Sequence, residues 1–503
     1  MHAVNESGSN VALEVVRIAL GDAPAWLVGG APRDRALGRA TYDLDVVVEG
    51  SPEAAARAIA RAAGAVGRSD RVTRSAAADG GAAGIGAACF ELSEDFSGWR
   101  VVARDRGWQV DVQPLRGGSL AADLRMRDFT VGAIAEPVGG GEPVDPLGGL
   151  ADIAARRLRM AYAGAFADDP LRVLRLVRLA LELRFAVDPD TARAAARAAP
   201  ALQGVAGERV FMELRRIVAS ARVLDGLALM DSLRITAAVL PELDALHGVQ
   251  QSRYHHRDVH GHTLEVLERT IALQDDPGDV LEDTELGTPV AALLAEPLAD
   301  ELTRGEALRW GALLHDIAKP LTAGVGREAD GSERITFLGH DVRGAEMARE
   351  VLGRLRTSER LRAHVAALVR HHLRLGFLLH DPQPLARRTV FDYLQNTAPV
   401  EVDVTLLSVA DRLGTRGERA REAIAAHMRL ARAMLADALA WRAAGGPPPL
   451  WRGDELAGAL GLTPGPRLGE VLAELAAARY AGEILTREQA LEHARRLMRD
   501  GTI

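Results

Sequence analysis

Leu27-Val28-Gly29-Gly30-Ala31-Pro32-Arg33-Asp34, followed by Tyr42-Asp43-Leu44-Asp45-Val46-Val47-Val48, decides the reading of the whole chain. The second stretch is β-branched and bounded by Gly50, which predicts a strand. Side chains at i and i+2 of a strand share a face, so Asp43 and Asp45 project together. Two such carboxylates can hold a pair of Mg²⁺ ions that clamp the attacking and leaving oxygens of an in-line displacement at phosphorus. Upstream, Gly29-Gly30 lets backbone approach a phosphate closely, and Pro32 suits the first turn of a helix whose N–H groups face that anion. An isolated Asp-x-Asp is usually a surface loop. With Gly-Gly-x-x-Arg-Asp just before it, metal-dependent nucleotidyl transfer is the better reading.

The chain has 503 residues, 48% of them hydrophobic, enough for three or four globular domains. No apolar run reaches the ~18 residues of a membrane span. The start, Met1-His2-Ala3-Val4-Asn5-Glu6, lacks the basic-then-apolar pattern of a secretory leader, so a cytoplasmic protein is expected. Cys89 is the single cysteine, which excludes an intrachain disulfide framework and a Cys-based zinc cluster. The net charge of −8 argues against a general nucleic-acid binder, but its distribution matters. Residues 151–220 carry 12 Arg against 8 Asp plus Glu, a local excess of 4 positive charges. Of the 61 basic residues only Lys319 is a lysine.

Residues 1–145 read as a mixed α/β head. An opening helix is expected at about 10–20, the Asp strand follows, then a helix near 52–64, Gly/Ala-rich loops at 78–88, and strands near Val101-Val102-Ala103 and Trp108–Val112. From about 150 onward the apolar period is helical, with Leu171, Leu174, Leu176, Leu179 and Ala180 on one face. The expected fold class is therefore α+β, with a helical neck at 146–245, a helical body at 246–440 and a tail at 450–503. Residues 275–305, acidic with Pro and Gly, read as an insertion or mobile loop. Ala444-Gly445-Gly446-Pro447-Pro448-Pro449 reads as a linker, and Thr486-Arg487-Glu488-Gln489 as a helix capping box.

Beyond the Asp strand stand Asp111, then Asp123–Ala133 with Arg127-Asp128-Phe129-Thr130, Asp145–Asp152, Arg156–Arg159, Phe166–Arg172, and later Glu208-Arg209 and Glu213-Leu214. In this order and spacing, over about 20–220, the chain resembles the bacterial-type (class II) tRNA nucleotidyltransferase and poly(A) polymerase family. The resemblance implies that Asp43 and Asp45 bind catalytic Mg²⁺, with Asp111 as a third carboxylate. It implies that Gly29, Gly30 and Arg33 hold a triphosphate, and that Arg127 and Asp128 shape the site. It further implies that Asp169 and Arg172 read the incoming base through Watson–Crick-like hydrogen bonds. Two bland readings compete: an i, i+3 surface ion pair for Asp169–Arg172, and a buried aspartate bonding Arg116 for Asp111. The chain departs from the family's usual residues at Pro32, Met126, Gly132 and Asp168, departures that bear on nucleotide choice. The tail (Leu450–Leu456 and Gly461–Pro466) is similar to the tail of the same family.

Eleven of the 14 histidines fall between 247 and 380. Imidazole and carboxylate ligands without thiolate suit Mn, Fe, Ni, Zn or Mg rather than a structural zinc site. His315-Asp316 resembles the signature of the HD phosphohydrolase superfamily. That likeness implies a transition metal or Mg²⁺ on His262, His315, Asp316 and Asp411. His340 and one of His371 and His372 would add a second metal or bind phosphate, and Lys319 would sit beside the anion. The alternative is a helical RNA-binding body that keeps these residues for packing.

The expectation is transfer of CMP or AMP from CTP or ATP to an RNA 3′ hydroxyl, with tRNA as the substrate and the CCA end as the product. A-only addition, as an A-adding enzyme or poly(A) polymerase, is the alternative within the class. A phosphohydrolase working at the HD site is the alternative outside it. Neither a membrane nor a protein partner is implied.

Overall fold

In the computed structural model, residues 6–21, 23–41, 43–74, 87–93, 98–105, 107–251, 255–327, 331, 333–416 and 420–500 are described. Tyr42 and positions 78–86 of the Gly/Ala-rich stretch lie outside them. The chain forms two compact units, one of residues 1–205 with 232–235, the other of 206–231 with 236–503.

In the first unit, helix α1 (Glu6–Leu20) leads to strand β1 (Ala25–Val28), helix α2 (Gly30–Ala36) and strand β2 (Asp43–Val48). Helix α3 (Pro52–Arg74) and strands β3 (Ala87–Ser93), β4 (Gly98–Ala103), β5 (Gln109–Pro114) and β6 (Glu136–Pro137) complete a six-stranded mixed sheet of order β3-β4-β5-β2-β1-β6. Only β2 and β5 pair in parallel among neighbours; the other pairs are antiparallel. The alternation in β2 does what its sequence requires. Leu44, Val46 and Val48 enter one core with Val15 and Val16 of α1, Ile59 of α3, and Val110 and Val112 of β5. That burial leaves Asp43, Asp45 and Val47 on the opposite face, where Val47 packs with Val28 and Leu124. A one-residue slip would put two carboxylates into an apolar core, so the register is strongly specified.

The rest is mainly helical, as the 3.6-residue period predicts. Segment 275–305 is a correction: it is ordered secondary structure, with helices Pro277–Val280 and Thr284–Leu294, short strands Pro297–Ala299 and Leu302–Thr303, and the start of helix Arg304–Leu314. Two of its acidic residues, Asp276 and Asp283, are helix caps. Asp276 accepts from Asp279 N–H at 2.9 Å, Asp283 accepts from Glu285 and Leu286, and Thr303 with Glu306 forms a capping box. A hairpin of Ala323–Arg327 and Glu333–Phe337 was also unanticipated, because Ala-Gly-Val-Gly-Arg carries little strand propensity. After Ala444 the helix stops, and helices Gly453–Leu460, Pro466–Tyr480 and Arg487–Arg499 close a small core around Leu456, Val471, Ile484 and Ala490. Thr486 and Gln489 form the expected capping box. Among the described residues no helix is long and apolar enough to cross a membrane.

Candidate functional site

The β2–β5 register sets Asp45 directly opposite Asp111, and the β1–β2 register sets Val28, the residue before the glycine turn, opposite Asp45. Three carboxylates thus share one sheet face. Burial pushes the Asp45 carboxyl up to about 6, with the Asp111 and Asp43 charges adding and Arg127 and Arg175 opposing. A site that raises the cost of its own negative charge fits a divalent cation, which restores the charged form. Two consequences follow in sign. Folded Asp45 keeps its proton to higher pH than in the unfolded chain. The metal-free head therefore loses stability as pH rises from the ordinary carboxylate range through about 6, and bound metal removes that loss. Conversely, metal affinity weakens as pH falls below about 6, which titration calorimetry at about pH 5 and pH 8 would register.

Gly29 has φ +71°, and a Cβ placed on it would lie 2.8 Å from Asp45 Oδ2 and 3.4 Å from Arg127 Nη1. Both conformation and space require glycine there. Gly29→Ala is expected to destabilise the head by about 1–2 kcal/mol and to displace Asp45, cutting metal-dependent activity at least ~10-fold. Thermal melting alongside an activity assay would separate the two effects. Gly30 opens α2, and Pro32 is buried in its first turn. Arg33 lies back on Asp34, with bonds of 2.8 and 3.0 Å.

The competing reading, a bond between Asp111 and Arg116, does not hold. Arg100 of β4 stands opposite Asp111 in register and donates two bonds of 2.7 Å. Arg116 instead bonds Asp123, which also accepts from Arg127. Asp123 is 1% exposed; burial works to raise its carboxyl, but the two guanidiniums outweigh it and hold it low. Asp123 therefore anchors Arg127 beside Asp45 and Gly29. Asp128 accepts from Arg175 at 2.8 Å and from Phe129 N–H at 2.9 Å. The Gly132 Cα side faces Asp128, a Cβ there falling 3.5 Å from its Oδ1.

Arg172 begins helix Arg172–Leu183 and donates to Tyr162 Oη at 3.0 Å, Ala165 O at 3.1 Å and Met126 O at 3.1 Å. Asp169 shapes the preceding turn, accepting Leu171 N–H at 3.2 Å. Tyr162 in turn donates to Asp168. The guanidinium is thus held at three points. Sequence reading missed Arg100, Asp123, Tyr162 and Arg175 as members of the site. Only Arg175 carried a signal, sitting three residues beyond Arg172 on the same helix. A cavity of about 540 Å³ opens beside Asp43, lined by Phe90, Arg104, Trp108 and Gln109 among others.

In the second unit, His262 lies in the first turns of helix Val259–Asp275 and Asp411 near the end of helix Glu401–Gly414. His315 and His372 follow the ends of helices Arg304–Leu314 and Glu359–His371, and His340 starts helix His340–Arg354. His262 Nε2 is 3.0 Å from Asp411 Oδ1, and His315 Nε2 is 3.0 Å from Asp316 Oδ2. Asp316 Oδ2 also meets Lys319 Nζ at 2.7 Å and His262 Nε2 at 3.6 Å. Its Oδ1 faces His340 Nε2 at 3.4 Å and His372 Nε2 at 4.0 Å. Two ligand groups result, His262/His315/Asp411 and Asp316/His340/His372, with Asp316 beside both. His372, not His371, takes part; His371 lies among Arg374, Arg370 and Asp341.

Carbonyls fix three of the rings. His315, His340 and His372 set Nδ1 against Ala312 O (2.8 Å), Phe337 O (2.6 Å) and Val369 O (2.7 Å), which aims each Nε2 inward. The buried Nε2 atoms of His262 and His315 each lie 3.0 Å from a carboxylate oxygen but out of line for a good hydrogen bond. Orphaned, oriented nitrogens around buried carboxylates fit a metal. Burial works to raise the Asp411 and Asp316 carboxyls, but the neighbouring imidazoles, and Lys319 beside Asp316, hold both well below the usual range. Burial and the His315 charge push His372 down to about 4, which keeps the ring neutral. Sequence reading missed Gln251, which accepts from Lys319 Nζ at 2.6 Å, and His255, whose ring centroid is 5.0 Å from that of His262.

Comparison with known proteins places matched families along the chain. Residues 25–159 match the poly A polymerase head domain, 184–246 a family described as a probable RNA and SrmB-binding site of polymerase A, and 259–416 the HD domain. The A-adding tRNA nucleotidyltransferase of Deinococcus radiodurans is 35% identical, covering 93% of this chain and 94% of its own. The CC-adding tRNA nucleotidyltransferase of Thermus thermophilus is 32% identical, covering 93% and 92%. A CCA-adding enzyme solved with ATP shares the fold, with a TM-score of 0.60 at 17% identity over 97% of this chain and 95% of that one. The chain therefore belongs to the tRNA nucleotidyltransferase and poly(A) polymerase family, a family of nucleotidyltransferases that use divalent metal.

Proposed function

We propose that this chain is a cytoplasmic, template-independent enzyme that completes the 3′ end of tRNA, adding CMP and AMP from CTP and ATP to build CCA. The observation that carries this is the trio Asp43, Asp45 and Asp111 on one sheet face, with the Gly29 backbone packed against Asp45. Residues 1–145 act as the head, 146–245 as the neck that binds base and RNA, 246–440 as the HD body and 450–503 as the tail. Asp43 and Asp45 would hold Mg²⁺, which would supply activation of the 3′ hydroxyl and offset charge on the departing group. The 3′ oxygen bonds to the α-phosphorus, the bond to the β-phosphate oxygen breaks, and pyrophosphate leaves. Gly29 and Gly30 let backbone meet the triphosphate, with Arg33 released from Asp34 to help. Asp111, neutralised by Arg100, sets the position of its neighbours. The acceptor nucleotide enters from the cavity beside Asp43, where Phe90 offers an aromatic surface.

Asp169 and Arg172 read the base: a carboxylate accepts the exocyclic amino proton that C and A share, and the guanidinium donates to ring nitrogen or carbonyl. Arg172→Met is expected to reduce selection of CTP and ATP over UTP and GTP by roughly 10–100-fold. Competition among the four labelled triphosphates would measure it.

A-only addition is a second reading, favoured by the 35% identity to an A-adding relative. Labelled CTP and ATP, offered to tRNA ending in CC and to tRNA lacking CCA, decide between them. At the HD centre we propose a divalent transition metal or Mg²⁺ on His262, His315, Asp316 and Asp411, with His340 and His372 placed for a second ion. A phosphohydrolase acting on terminal or cyclic phosphates is the activity that ligand set suits. A phosphatase screen with and without chelator tests it.

A further inference from the structure

We propose that Asp231, His247 and His260 form a third site for a divalent transition metal, separate from the HD centre, which clamps the base of the segment carrying Gln251 and His255. Their ligand atoms converge within 4.8 Å of one another. The Nε2 atoms of His247 and His260 lie 3.7 and 3.6 Å from the same Asp231 Oδ2; the rings, stacked at 3.6 Å, splay when both in-plane lone pairs meet one ion. These separations are too long for direct hydrogen bonds. They are close to the ~3.3 Å between ligand atoms that a tetrahedral ion imposes with bonds of roughly 2.0–2.2 Å.

The surrounding groups prepare the ligands. His247 Nδ1 lies 2.9 Å from the Asp244 carbonyl, which can only accept, so Nδ1 carries the proton and Nε2 is bare. The other oxygen of Asp231 accepts from the Thr236 hydroxyl, leaving Oδ2 for the ion. His247 is 45% exposed, so ions have a path in and water can complete the coordination. Two imidazoles and one carboxylate suit Zn²⁺, Co²⁺ or Ni²⁺ over Mg²⁺ or Ca²⁺. His260 and His262 are two residues apart on one helix, which separates their directions by about 200°. The new site and the HD centre therefore use different faces.

His247 and His260 flank the stretches 248–251 and 255–259. Val259 N–H bonds Val249 O at 2.9 Å, His260 N–H bonds Leu246 O, and Asp258 accepts from Gly248 N–H at 2.7 Å. Gln251 reaches Lys319, and His255 lies against His262, at the HD centre. An ion joining His247 and His260 to Asp231 would hold those contacts in place.

The test is Zn²⁺ stoichiometry on the full chain, by equilibrium dialysis and elemental analysis, for wild type, His247→Gln, Asp231→Asn and the double variant. Each single variant is expected to bind one equivalent fewer than wild type, and the double variant to lose no more than that one. Co²⁺ loading should show the loss of one tetrahedral absorption band. Nucleotide addition should be unchanged in His247→Gln, and circular dichroism would establish that each variant is folded. Equal Zn²⁺ content in wild type and folded His247→Gln would overturn the proposal, leaving a stacked imidazole pair beside a carboxylate.

Discussion

Asp43→Asn is expected to lower nucleotide addition by at least ~10³-fold, about 4 kcal/mol in the barrier, with little change in melting temperature. Asp43 is exposed at the first position of β2 and adds no side chain to either core of the sheet, so its replacement leaves packing intact. Its charge is one of those that push the Asp45 carboxyl upward, so removing it eases the metal-free head. The loss is therefore a loss of metal-dependent chemistry alone. Incorporation of labelled nucleotide, set beside a melting curve and a phosphatase assay, checks this. Any hydrolase activity of the HD centre should be untouched, and loss of both together would count against two separate sites.

Asp316→Ala should act in the opposite way. Asp316 is 1% exposed and faces His262, His315, Lys319, His340 and His372. Its removal leaves the buried Lys319 ammonium without that counter-charge, a loss of about 3–5 kcal/mol for a broken buried pair. It also takes the only carboxylate from the Asp316/His340/His372 group and a neighbour from His262 and His315, so metal at the HD centre should fall to half or less. Addition of nucleotides by the head should persist below the variant's melting temperature. The Asp316 carboxyl is held low in the folded protein, so its stabilising effect is present at neutral pH and is lost only as pH falls through that lowered value. The wild type should accordingly show a steeper loss of stability in strong acid than the variant, measurable by chemical denaturation across pH.

The sheet face carrying Asp43 and Asp45 was legible because the period of two in Asp-Leu-Asp-Val-Val-Val admits only one burial pattern. The clustering of His262, His315, Asp316 and Asp411 was legible through the likeness of His315-Asp316 to the HD signature. The partner of Asp111 was not, since cross-strand register with Arg100 depends on how β4 and β5 pair, and Arg116 merely stood nearer in sequence. Segment 275–305 misled for a different reason. Asp and Thr favour both loops and helix N-caps, and in Asp276, Asp283 and Thr303 they cap three successive helices. The choice between His371 and His372 turned on the direction of a helix end, to which adjacent identical residues give no clue.

The most direct measurement is incorporation of labelled CTP and ATP, separately and together, into tRNA lacking its CCA end, with Mg²⁺. The account predicts two C residues followed by one A, abolished in Asp43→Asn. Failure to incorporate either nucleotide, on tRNA ending in CC as well as on tRNA lacking CCA, would contradict it.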